Sequence, residues 1–196
     1  MSEELLKALM KLFAMASDVD DITQESRNIV ESYLTQELNS ELVPTYLELY
    51  DKNIKEIHHG EGADALADRN VIEVCTKINT VLQQKQKVVI LIRLLEYILA
   101  DENISDHEFQ FLRTTSETFK IPTDEFDDCL KFLEAETHSI PDLLDILIVS
   151  SEEKPELEKS QFIHRTGIEG KIIFLKFPSV EMYVLRYLGV DDLYLN

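Results

Sequence analysis

The sequence predicts a mainly α protein, seven helices followed by a short antiparallel β segment, and three observations carry that prediction. Apolar residues recur at helical spacing through most of the stretch 1–135. Laying the sequence on itself so that Leu9 meets Leu91 places one series of apolar helix, acidic corner, Ser/Thr cap and amphipathic helix upon a second copy of that series. Past position 140 the pattern turns into short β-prone runs separated by Gly and Pro.

Taken in order, Leu5, Leu9, Leu12, Phe13 and Ala16 define a first helix between Ser2 and Ser17. Thr23 offers the N-cap of a second, which carries Ile29, Val30, Tyr33 and Leu34. Ser40 is placed to cap a third, with Leu42, Leu47, Leu49 and Tyr50 available for packing and Pro44 early enough to be tolerated. The Gly-containing stretch "HHGEGADALAD" reads as a loop. After it come helices over Val71 to Leu82 and Val88 to Ala100, one opened by Ser105 and one opened by Thr123 after Pro122.

The same superposition places Lys11, Leu12 and Phe13 on Arg93, Leu94 and Leu95, Ile22 and Thr23 on Ile104 and Ser105, and Ile29 and Val30 on Phe111 and Leu112. A lone helical hairpin cannot bury both faces, so two such pairs are expected to pack around a pseudo-two-fold axis in one core. Three segments are expected: an acidic all-α domain over 1–135, a short strand and charged linker over 136–159, and a β-rich segment over 160–196. The β-prone runs are "DILIVSS", "QFIHR", "GKIIFLKF", "EMYVLRYLG" and "DLYLN". The last stops inside an unfinished hairpin, which reads as the start of a truncated second domain that continues beyond this chain.

Charge bounds the partners. The net charge is −19. Thirteen basic and 30 acidic residues precede position 151, and 6 basic and 8 acidic follow it, so the two parts carry −17 and −2. A chain this acidic is repelled by a phosphate backbone, and no basic stripe reverses the field, so nucleic acid is not an expected partner. Cys75 and Cys129 occupy apolar positions of helical patterns, which favours buried thiols in a reducing compartment over a disulfide framework. The start "MSEELLKALM" lacks the basic segment and cleavage site of a signal peptide. The longest apolar tract, "VVILIRLLEYILA", is interrupted by Arg93 and Glu96 well short of the roughly 20 residues a bilayer demands.

Candidate chemistry gathers at the two acidic corners. "DVDDITQES" and "ADENISDHE" both pack acids around a single Ile. Neither is an EF-hand: a loop beginning at Asp18 has Ile22 where an oxygen ligand is required and Thr23 where Gly is required. One alternative is a composite site in which Asp18, Asp20, Asp21 and Glu25 meet Asp101, Asp106 and Glu108 to supply hard oxygen ligands for Ca²⁺ or Mg²⁺. The other is that these acids sit at helix N-termini, where dipole and caps favour a carboxylate by about 0.3–1 kcal/mol. His58, His59 and Glu61 form the single His-rich spot and read as a solvated loop. His107, His138 and His164 are isolated, and no Ser or Cys stands in a nucleophile-elbow context. Phe109, Phe111, Phe119, Phe126 and Phe132 fall at core spacings.

The stretch "ADENISDHE" resembles the motif A-D-G-x-[IV]-[ST]-x-x-E of the tellurite-resistance TerB-like family, a seven-helix acidic domain whose pseudo-repeated corners gather carboxylates at one end. Asp101, Ile104, Ser105 and Glu108 match position by position, with Glu102 in place of the usual Gly. In the first copy Ile22 and Thr23 match, whereas Val19 stands at the equivalent of Asp101 and Ser26 at that of the final acid. The resemblance covers about residues 1 to 135. The tail from Thr166 is similar to the β segment that follows such a domain in the amino-terminal region of certain bacterial ABC transporter ATP-binding proteins. No Walker A sequence occurs in these residues, so the resemblance implies an ATPase beyond Asn196. It implies a non-catalytic cytoplasmic module, acting on a protein partner or on the remainder of its own chain, with membrane association arising through the parent protein. The alternative it leaves open is a divalent-cation-binding stress-response sensor.

Overall fold

The computed structural model describes residues 2–17, 24–59, 68–100, 104–134, 146–150, 171–180 and 182–188. Among these the chain is mainly helical, with seven α-helices: α1 (Glu3–Ala16), α2 (Gln24–Glu37), α3 (Val43–His59), α4 (Asp68–Asn79), α5 (Gln84–Leu99), α6 (Asp106–Phe119) and α7 (Thr123–Glu134). Three strands, β1 (Ile146–Ser150), β2 (Lys171–Phe177) and β3 (Met182–Leu188), form an antiparallel sheet in the order β1-β2-β3. The chain separates into two compact units, Met1–Phe126 and Asp127–Asn196, the division falling within α7.

In the first unit α1 is the most completely enclosed helix. Ser2 caps it by accepting a hydrogen bond from the Leu5 amide, and Glu3 and Glu4 occupy its first turn, where the helix dipole favours carboxylates. Leu9, Met10, Leu12, Phe13 and Ala14 are fully buried, and α1 packs on α3, α4, α5 and α6. At about 1.5–3 kcal/mol for each fully buried large apolar side chain, this helix anchors the unit. α5, the second apolar helix, buries Val88, Leu91, Leu94 and Leu95 and packs on α6 and α2.

Aromatic residues join these layers. Phe13 on α1 meets Tyr33 on α2 at 5.6 Å and Tyr97 on α5 at 6.0 Å between ring centroids. The Tyr97 hydroxyl in turn shares a 2.6 Å hydrogen bond with that of Tyr50 on α3, so the polar tips of two buried rings satisfy one another. At the surface of the bundle Arg93 donates to Glu96 on its own helix and to Gln36 on α2, and Arg27 makes a two-pronged contact with Asp51 on α3 at 3.3 Å per bond.

The offset that lays Leu9 on Leu91 also lays Gln24 on Asp106 and Glu37 on Phe119, so α2 and α6 begin and end in register. Other expectations require correction. Ser40 does not cap the third helix: residues 40–42 form a turn closed by the Leu42 amide on the Asn39 carbonyl, and α3 begins at Val43 with Pro44 in its first turn. Leu42, expected in the core, is 49% exposed on that turn. α4 runs from Asp68 to Asn79 rather than from Val71 to Leu82, and α5 starts at Gln84, ahead of the apolar run. His58 and His59 belong by backbone to the last turn of α3, not to a loop; Glu61 lies outside the described residues, as does Thr23. Thr123 is the first helical residue of α7, and the Phe126 amide reaches back to the Pro122 carbonyl.

In the second unit, β2 is the central strand. Its register pairs Leu175 with Ile146 and Val184, Ile173 with Ile148 and Arg186, and Phe177 with Met182. Leu175 and Phe177 share one face by strand alternation, and both are fully buried. "QFIHR" and "DLYLN" lie outside the described residues.

Candidate functional site

The acidic corner ahead of α6 is built from a helix start. Ser105 is extended, with φ −70° and ψ 156°, outside the helical region as an N-cap residue must be. Its Oγ accepts from the Glu108 amide at 3.2 Å and donates to Glu108 Oε2 at 2.8 Å, while the Ser105 amide donates to the same Oε2 at 2.8 Å. This is a reciprocal capping box, in which two backbone donors that a helix start would leave bare are satisfied. Asp106 stands exposed in the same first turn, so the two acids lie where the N-terminal dipole favours negative charge.

Of the seven acids expected to share a cation, Asp106 and Glu108 are thus placed together on α6. Glu25 is on α2 by its backbone. Asp18, Asp20, Asp21 and Asp101 lie outside the described residues. Among the described residues no group of three or more His, Cys, Asp or Glu side chains is arranged to hold a metal ion. Chemically, the corner as described holds a carboxylate by two donors and starts a helix.

His107 is exposed on α6, and His138 and His164 lie outside the described residues. Cys75 and Cys129 are both free and buried. Burial pushes the Cys75 thiol up to about 12, with Thr115 Oγ1 at 4.0 Å opposing that shift, so it is protonated and unreactive at neutral pH. Phe111, Phe119, Phe126 and Phe132 are buried, whereas Phe109 is half-buried and takes part in a cation–π contact: the Arg113 guanidinium lies 5.1 Å from its ring centroid and 5.7 Å from that of Phe126.

The start of α5 carries groups that the sequence reading passes over. Lys85 and Lys87 stand at its beginning, and its first turn holds no acidic residue. Two cations at a helix N-terminus run against the dipole, and that reversal was the available signal. Lys87 is only 8% exposed.

No family model matches the chain, and no curated protein and no solved structure matches it. Among the described residues no helix is long and apolar enough to cross a membrane.

Proposed function

We propose that this chain is a non-catalytic regulatory and interaction module, the amino-terminal part of a bacterial ABC transporter ATP-binding protein, working in the cytoplasm at the inner face of the membrane. Its helical unit is of the TerB-like kind, with an internal pseudo-repeat, and its strands belong to the β segment that follows such a unit. Its partner is a protein or the remainder of its own longer chain. The observation that carries this reading is the engagement of Glu108. The acid that ends the quoted motif accepts two hydrogen bonds from Ser105 and fixes the start of α6. An acidic corner of that kind presents a stable charged surface without requiring an ion.

A second reading is the divalent-cation sensor, in which acids of both corners converge on Ca²⁺ or Mg²⁺. It is favoured by the matching bounds of α2 and α6 in the two copies, which bring a helix out of each corner in the same register. Thermal unfolding in EDTA and in each of Ca²⁺, Mg²⁺, Mn²⁺ and Zn²⁺ separates the two. The interaction reading expects one melting temperature throughout. A sensor is stabilised by about 2.7 kcal/mol when the ion stands at a hundredfold excess over its Kd, and Asp101→Asn with Glu108→Gln removes that gain. The parent is tested by the reading frame beyond Asn196: a G-x-x-x-x-G-K-[ST] sequence there supports the transporter assignment, and a stop codon directly after Asn196 removes it.

A further inference from the structure

We draw no further inference here: the strongest candidate, the buried Asn79 Oδ1 that among the described residues has no hydrogen-bond partner where the end of α4 meets the end of α6, is one atom of a half-buried side chain whose amide already donates to the Thr118 carbonyl, and nothing in the structure shows what would meet it.

Discussion

The starts of α6 and α5 are the same structural object assembled in opposite senses. At α6, Ser105 and Glu108 satisfy one another, Asp106 stands beside them, and the negative charge lies where the helix dipole favours it. At α5, Gln86 Oε1 accepts from the Gln83 amide, but the charged residues that follow are lysines, Lys85 exposed and Lys87 with its stem buried. A helix start leaves amides bare, and in both cases a side chain of the first turn reaches back to one of them. What differs is the charge placed around them. Where charge and dipole agree, stability alone accounts for the residues. Where they oppose, the helix dipole does not account for them.

The largest effect expected from breaking this comparison is at Ser105. Ser105→Ala removes the side-chain acceptor and one of the two donors to Glu108, and should cost about 1–2 kcal/mol in urea unfolding. Glu108→Gln keeps an acceptor oxygen at the same place and should cost much less, which separates the cap from the charge. Lys120→Gly should act in the opposite direction, raising stability by about 1 kcal/mol by relieving a left-handed non-glycine residue.

A smaller effect is expected in the pH dependence of Lys87→Met. The folded-state pKa of Lys87 lies below its ordinary 10.5, so between the two values the unfolded chain binds more protons. In wild type this contribution raises stability as pH climbs through that window; in Lys87→Met it is absent. Tyr33 and Tyr50 act in the other direction in both proteins. Burial holds their phenols above the ordinary 10.0, so the stability they contribute at lower pH is lost as pH rises past that value. The Lys87 contribution is therefore read from the difference between wild-type and variant melting across about pH 8 to 11, which brackets the ordinary lysine and tyrosine values. The smallest effect belongs to Arg27 and Asp51. Each is about one-third exposed, at 32% and 38%, and a double-mutant cycle should return a coupling below about 1 kcal/mol.

Some of this was legible in the residues. Ser105 followed one turn later by Glu108 is a capping signature that depends on local geometry alone, and the structure has it. The helical character of the first unit followed from apolar spacing, because burial of a stripe at that spacing is what holds such helices together. Ser40 misled because a turn through Asn39 and Leu42 delays the helix to Val43, and one polar residue before an apolar run does not reveal how tightly the chain turns. Lys87 was illegible for a different reason. It stands at the start of α5, which Gln84 ties to the end of α6, a tertiary contact between segments distant in sequence that no periodicity encodes. Of the acidic corners, what the structure describes is the helix-start half.

The claim that one helix start serves stability and the other opposes it is tested most directly by thermal unfolding of Ser105→Ala and Lys87→Met beside wild type at pH 7. Methionine keeps most of the buried lysine stem and removes the positive charge that opposes the helix dipole. The account predicts that Ser105→Ala melts below wild type and Lys87→Met above it. If Lys87→Met instead melts below wild type by as much as Ser105→Ala, the lysine is a stabilising part of the α5 start, and the contrast between the two helices does not exist.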